Sequence, residues 1–199
     1  SNGDRKLKAT AENFPVEVLF LRDDDIPQYV EQGVADLGIL GENEVLEKGK
    51  EVTQLEKLGF ASCKLVLAIP KDEVYSGLSW FRDKKIATSY PSILRNFFKG
   101  HEIEVQIEEI GGSVEIATGI GLADAIFDIV STGSTLMLNG LKEAEVVSRS
   151  EAILIANPNL NAEKIKTVDR LLFRIKAVRN ASANKYILLN APDTAIAGI

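Results

Sequence analysis

Between Gly121 and Leu136 the chain reads GLADAIFDIVSTGSTL, and this stretch gathers the residues best able to do chemistry. Asp128 falls inside an apolar run, toward the end at which open α/β sheets bind their ligands. Ser131, Thr132, Gly133, Ser134 and Thr135 follow it. A glycine lets the backbone come close to an oxyanion, and successive N–H groups and hydroxyls surround that anion with donors. A helix opening after the loop would add the positive end of its dipole. An acid beside such a cradle suits a phosphorylated sugar, with the phosphate in the loop and the ribose hydroxyls on the carboxylate. The same pattern also suits a hydroxyl-rich turn in which Asp128 is an ordinary cap.

Such a site needs a scaffold of strands that end together. The apolar rhythm alternates between short runs and longer helical patterns, which predicts an α/β fold. Strands are expected at Phe14–Leu21, Val34–Leu40, Cys63–Ile69 (stopped by Pro70), KKIATS, Glu102–Glu109, Ala125–Val130, Glu145–Ser148, Ala152–Ala156 and Tyr186–Asn190. Asp25 is expected to cap a short helix over IPQYVEQ, with Pro27 in its first turn and Gly33 ending it. Further helices are expected at Pro91–Lys99, at Val114–Ile120 and after the STGSTL loop. The longest runs from Ala162 to about Ala181, with Ile165, Val168, Leu171, Leu172, Ile175 and Val178 on one stripe. The stretch from Pro70 to Asp83 reads as loop-rich. No Gly/Ser linker divides the chain, so two lobes joined by crossing strands fit better than separate beads.

Composition narrows the chemistry. The chain has 199 residues, 45% of them hydrophobic and 26% charged, which matches a globular protein with a real core. A net charge of −6 argues against non-specific nucleic-acid binding but leaves room for an anionic small molecule held by a few cations. No apolar stretch approaches the roughly 20 residues of a membrane span, and SNGDRKLKAT lacks a signal peptide's apolar core. A cytoplasmic location is expected, and the single Cys63 agrees with it. One histidine rules out HExxH zinc chemistry, and one cysteine rules out a CxxC site.

Glu115, then GLADA from Gly121, then DIVSTGSTL from Asp128, together resemble the signature of the ATP phosphoribosyltransferase family. Arg22–Pro27 (RDDDIP), GVADLGI from Gly33 with Gly41-Glu42-Asn43, IATSYP from Ile86, and Lys185-Tyr186 are similar to family blocks and stand in family order. The resemblance implies a two-lobed, periplasmic-binding-protein-like (type II) α/β fold with the site in the inter-lobe cleft. Residues 1–62 plus 148–199 would form lobe I, and residues 63–147 lobe II with the PRPP loop. It further implies transfer of phosphoribosyl from PRPP to N1 of ATP, giving phosphoribosyl-ATP and pyrophosphate, the first step of histidine biosynthesis. Mg2+ would be carried by PRPP and ATP, and a homo-oligomer (dimer or hexamer) is implied, with no nucleic-acid or membrane partner.

By the same resemblance, Glu115, Asp128, Ser131, Thr132, Gly133, Ser134 and Thr135 bind PRPP. Arg22 faces pyrophosphate or the ATP phosphates, and Arg22 with Asp128 would be catalytic. Arg5, Lys64, Thr88, Ser89 and Tyr90 join Arg22 on the ATP side. Each has a plainer reading: Arg22 and Arg5 as solvated arginines, Glu115 as an exposed helix acid, Cys63 as a small buried hydrophobe. Asp23, Asp24 and Asp25 fit a helix cap with solvated neighbours, since three consecutive residues cannot all face one ion. Asp36 reads as a turn acid and His101 as solvent-exposed. Family members begin with a strand and a QKSGRL-type loop ahead of the Arg22 block, a unit expected to be missing here. Lys185–Pro192 (KYILLNAP) resembles the strand that leads into the long form's regulatory domain, so the chain resembles the catalytic core of a long form, or an intermediate. The rival reading on the same fold is a non-catalytic ligand-sensing module. Another PRPP-using transferase fits less well, because those commonly show two adjacent acids before a TGG-type loop.

Overall fold

In the computed structural model, which describes residues 7–183, the short strands β1 (Lys8–Thr10) and β2 (Glu17–Leu19) pair antiparallel. The strand expected over Phe14–Leu21 shrinks to β2. Pro15 removes a ladder donor, and the Phe14 ring instead meets the guanidinium groups of Arg170 and Arg174 at 5.4 and 4.6 Å. Helix α1 (Ile26–Glu31) follows with Pro27 in its first turn. Asp25 stands at its N-cap but makes no side-chain capping bond. Its backbone is already helical (φ −89°, ψ −27°), so its carboxylate is not aimed at the first-turn donors.

Strand β3 (Leu37–Gly41) starts later than expected, because the N–H groups of Val34 and Ala35 both turn back to the carbonyl of Tyr29. Helix α2 (Glu42–Lys48) and strand β4 (Thr53–Lys57) were not foreseen. Helix α2 carries acids in its first turn and Lys48 in its last, which suits the macrodipole. Gly49 closes it at φ +58°, where a glycine is favoured. Strand β10 (Ala152–Ala156) lies between β3 and β4, antiparallel to both, in a three-stranded sheet. Val30, Leu40, Ile153 and Ile155 form its core.

The second large sheet has the order β7-β6-β8-β5-β9. Its strands are β5 (Cys63–Pro70), β6 (Lys85–Thr88), β7 (Gln106–Glu109), β8 (Ala125–Val130) and β9 (Leu141–Ser150). Strand β6 runs parallel to β7 and β8, whereas β5 is antiparallel to β8 and β9. Strand β5 is covered on both sides, which explains its unbroken apolar run. Leu65, Leu67 and Ile69 pack with Phe81, Leu94 and Phe98 under helix α3 (Pro91–Gly100). Val66 and Ala68 pack with Ile126, Val130, Val114, Ala117 and Leu136 on the other face.

Several expected elements are trimmed or lengthened. Strand β7 begins only at Gln106, because the Ile103 N–H closes α3 on the Phe98 carbonyl. Val114–Ile120 forms a helical turn only over Val114–Ile116, and Leu78–Phe81 inside the loop-rich stretch forms another. Strand β9 extends well beyond Glu145–Ser148. The chain divides into two units, Ser1–Glu12 with Val16–Asn159 and Asn13–Pro15 with Leu160–Ile199. Helix α5 (Ala162–Ala183) belongs to the second; Val168 on its stripe is buried, while Ile165 and Val178 are exposed. The strand expected at Tyr186–Asn190 and the candidate Arg5 lie outside the described residues.

Candidate functional site

Strand β8 delivers Asp128 opposite Val66 of β5, on the face that Ile126 and Val130 share. The carboxylate is half-buried and accepts a hydrogen bond from the Ile129 N–H at 2.8 Å. Burial pushes its pKa up to about 6; the Ile129 N–H works against that rise, and the negative charge of Glu115 adds to it. Asp128 and Glu115 are therefore close enough to feel each other's charge, as a shared site requires.

The chain then leaves the sheet through Ser131 and Thr132 and turns at Gly133, whose φ of +77° is accessible at low cost only to glycine. The Thr132 and Ser134 hydroxyls lie 2.9 Å apart, bonded to each other, and Ser131, Thr132, Ser134 and Thr135 are exposed. Helix α4 spans only Ser134–Leu138. The expected dipole is correspondingly that of little more than one turn, so donors and nearby cations must do most of the work of holding an anion.

Lys64 supplies such a cation. It pairs with Val130 one step along the same face from Asp128. Its ammonium sits 2.7 Å from both carboxylate oxygens of Glu143 on β9. Glu143 Oε1 in turn lies 3.6 Å from the position a Cβ on Gly133 would take, so this ion pair walls the loop. Cys63 beside Lys64 is half-buried, and burial pushes its thiol pKa up against the effect of a hydrogen bond with Ser150.

Thr88, Ser89 and Tyr90 join β6 to α3, but their side chains point into the structure. Thr88 is fully buried, and its Oγ1 accepts from the Tyr90 N–H at 2.8 Å; the Ser89 hydroxyl donates to the Ile110 carbonyl at 2.7 Å. Tyr90 is buried too, and its hydroxyl pKa is pushed up first by burial and then by the charges of Glu44, Asp128 and Asp23. The Tyr90 region thus links the RDDDIP block to the Asp128 strand. Glu44 is likewise buried, and its pKa is raised chiefly by that burial, opposed by a hydrogen bond with Tyr90. Asn43 completes the cluster, donating to Glu44 Oε1 at 2.9 Å and to the Tyr90 hydroxyl at 3.3 Å.

Arg22 is open to solvent, with its side chain 80% exposed and its Nε 3.2 Å from Asp24 Oδ1. His101 is exposed, with Nδ1 2.8 Å from the Phe97 carbonyl. Asp124 belongs to the opposite end of β8, where it accepts from the Lys85 N–H at 2.9 Å. A hollow of about 390 Å3 lies at that end, lined by Trp80, Lys84, Lys85 and Asp124, away from the Gly133 loop. Sequence reasoning missed Glu143, Glu44, Glu47 and Ser150. Only Asn43 carried a signal, as part of the Gly41-Glu42-Asn43 block. Among the described residues, no group of three or more His, Cys, Asp or Glu could hold a metal ion, and no helix is long and apolar enough to cross a membrane.

Comparison with known proteins adds an independent measure. The HisG family, described as ATP phosphoribosyltransferase, matches residues 22–177. The chain is 60% identical over 192 residues to the ATP phosphoribosyltransferase of Parabacteroides distasonis, covering 96% of this chain and 68% of that one. The Bacteroides thetaiotaomicron enzyme of the same name is 59% identical over the same shares. Among solved structures, the ATP phosphoribosyl transferase (HisG:HisZ) complex from Thermotoga maritima matches with a TM-score of 0.76 and 27% identity, over 88% of this chain and 85% of that one. The substrate binding protein of an amino acid ABC transporter matches at TM-score 0.59 and 15% identity, over 81% of this chain and 73% of that one, which shows a shared fold alone. A profile match over most of the chain, with near-60% identity over 96% of it, leaves one assignment: this chain belongs to the ATP phosphoribosyltransferase family.

Proposed function

We propose that this chain transfers the phosphoribosyl group of PRPP to N1 of ATP with release of pyrophosphate, using the Asp128–Thr135 segment to hold PRPP. The observation that carries the reading is the half-buried Asp128 at the end of β8, immediately ahead of a left-handed glycine set among exposed hydroxyls. As pyrophosphate leaves, ribose C1 becomes cation-like, so the reaction depends on alignment and charge placement more than on proton transfer. The Asp128 carboxylate accepts from the ribose hydroxyls and fixes the ring. Ser131, Thr132, Ser134 and Thr135 offer hydroxyls to the 5′-phosphate, while Gly133 lets the backbone approach it. Arg22, solvated and hydrogen-bonded to Asp24, reaches the pyrophosphate or the ATP phosphates.

On the ATP side we place Arg22, the Thr88–Tyr90 loop and Lys64, which through Glu143 also borders the Gly133 loop and so stands between the two substrates' phosphates; Arg5 belongs to the same reading. Thr88, Ser89 and Tyr90, whose side chains turn inward, would shape that loop while its backbone faces the nucleotide. Mg2+ would arrive on PRPP and ATP and neutralise phosphate charge. Asp128 and Glu115 suit it as the one or two carboxylates that such an ion commonly takes beside substrate phosphates. The lobes would meet where the chain passes between its two large sheets, between Lys57 and Cys63 and again between Ser150 and Ala152. A cytoplasmic homo-oligomer completes the reading. The rival, a ligand-sensing module, keeps only the shared fold in its favour.

Pyrophosphate release from PRPP tests the proposal. Release that requires both ATP and the Asp128 carboxylate is expected; release indifferent to ATP, or unaffected in Asp128→Asn, would overturn it.

A further inference from the structure

We propose that Glu143 is a positioning residue of the phosphate loop: it holds the Lys64 ammonium against the loop wall and yields it to an incoming phosphate. This rests on the reading of Ser131–Thr135 as a phosphate site. Lys64, Asp128 and Glu143 all project from one face of the five-stranded sheet, since Lys64 pairs with Val130, Val66 with Asp128 and Ala68 with Glu143. Along this face Lys64 reaches past Val66 to the Glu143 carboxylate and touches both oxygens at 2.7 Å. That carboxylate stands 3.6 Å from the position of a Cβ on Gly133. The two charges therefore meet at the loop itself.

The chemistry of the loop gives the pair a purpose. Helix α4 is too short to supply much positive potential, and Asp128 and Glu115 already make the neighbourhood negative. A phosphate entering beside an unpaired Glu143 would be repelled. With Lys64 between them, the carboxylate is neutralised and a cation stands ready at the loop. The two side chains are 26% and 33% exposed, so water reaches the pair and it is of the weakly stabilising kind. A phosphate carrying up to two negative charges competes well for such an ammonium, whereas a buried pair would not exchange. The same pairing disfavours neutral sugars, which offer Lys64 no charge in return for Glu143.

Calorimetric titrations with inorganic phosphate and with Mg2+-PRPP test this on the whole chain and on Glu143→Gln, Lys64→Met, the double variant and Thr135→Ala. Freed from its counter-ion, Lys64 in Glu143→Gln should bind both ligands roughly two- to five-fold more tightly, the fold-change equivalent to a partly exposed ion pair. Lys64→Met should bind roughly ten-fold more weakly, as expected for one charge-assisted contact. The double variant should bind no tighter than Lys64→Met. A merely structural Glu143 could not produce tighter binding that depends on Lys64. Unchanged or weaker binding in Glu143→Gln overturns the exchange, provided that Thr135→Ala still weakens binding. If Thr135→Ala binds as the parent does, the phosphate-loop reading itself fails and the exchange with it.

Discussion

Asp128 is asked for one protonation state by its ligand and for the other by its surroundings. A carboxylate accepts from ribose hydroxyls, yet burial raises the pKa from the ordinary 3.8 to about 6. Between those values the folded chain keeps a proton that the unfolded chain has released, so stability falls as pH rises through that window. Above about pH 6 the whole cost is present. Asp128→Asn should therefore be more stable than the parent at pH 7.5, by about 2–3 kcal/mol at 1.36 kcal/mol per pKa unit. The gain should shrink to about 0.5 kcal/mol at pH 4 and vanish below the unfolded value, and urea melts at pH 7.5 and pH 4 read the difference directly. The same substitution should weaken PRPP binding at pH 7.5 by about 1–3 kcal/mol, as should Thr135→Ala, each removing one hydrogen bond to a charged or strongly polar group. A residue that costs stability and supports affinity is placed for function. An Asp128→Asn protein that gains no stability would show that the carboxylate is well solvated where it stands.

At the scale of elements, the joint between α2 and α3 shows how far local patterns reach. Helix α3 begins at Pro91 after Tyr90, which makes no side-chain cap. Its first free N–H groups, those of Ser92 and Ile93, instead donate to the Glu47 carboxylate at 2.8 and 3.0 Å. A cap supplied from another helix leaves no mark in the sequence around Pro91. Glu47→Ala should cost about 1–2 kcal/mol, the usual worth of an N-cap, and Glu47→Gln should recover part of it, because an amide oxygen still accepts but carries no charge to meet the dipole. Shifts in urea midpoint measure both, and equal loss in the two variants would assign the whole effect to charge. The buried strands β5, β8 and β10 were legible because apolar runs follow from burial on both faces. Strand β4 was not, since Thr53–Lys57 is mostly polar and owes its pairing to β10. Nor was α2, whose ENEVLEK has no apolar stripe and whose buried residues include Asn43 and Glu44. The Asp128–Thr135 segment was legible as a site because its chemistry is contiguous. The Lys64–Glu143 pair was not, because 79 positions separate its partners and only the sheet register unites them.

Within the first unit, the three-stranded and five-stranded sheets are joined by polar groups as well as by chain. Asn43 at the start of α2 donates its backbone N–H to Ser150 Oγ at 3.1 Å and accepts from that hydroxyl at 2.8 Å. Ser150 ends β9, opposite Cys63 at the entry to β5, so the bond sits where the chain passes between the sheets. From there Asn43 and Glu44 run the network on to Tyr90. Because these groups are buried, removing one leaves its partners unsatisfied, and Asn43→Ala should cost about 1–3 kcal/mol.

Glu44 makes this joint sensitive to pH. Burial is the main reason that its pKa stands above the ordinary 4.5, with the charges of Asp23 and Asp24 adding to the rise. The folded chain therefore retains a proton on Glu44 after the unfolded chain has lost it, and stability declines as pH climbs through the folded value. Glu44→Gln keeps an acceptor for Tyr90 and removes the charge. It should leave stability near that of the parent at pH 4, and the variant should become progressively the more stable of the two toward pH 8. Urea midpoints across that range distinguish this from a packing effect, which would shift the variant equally at every pH. Asp128 and Glu44 both raise the Tyr90 hydroxyl pKa, but the charges that raise their own values differ: Asp23 and Asp24 for Glu44, Glu115 for Asp128. Tyr90 stays neutral across this pH range, so combining Glu44→Gln with Asp128→Asn should give close to the sum of the separate gains at pH 8. A gain well short of that sum would mean that the joint and the phosphate loop are electrostatically coupled after all.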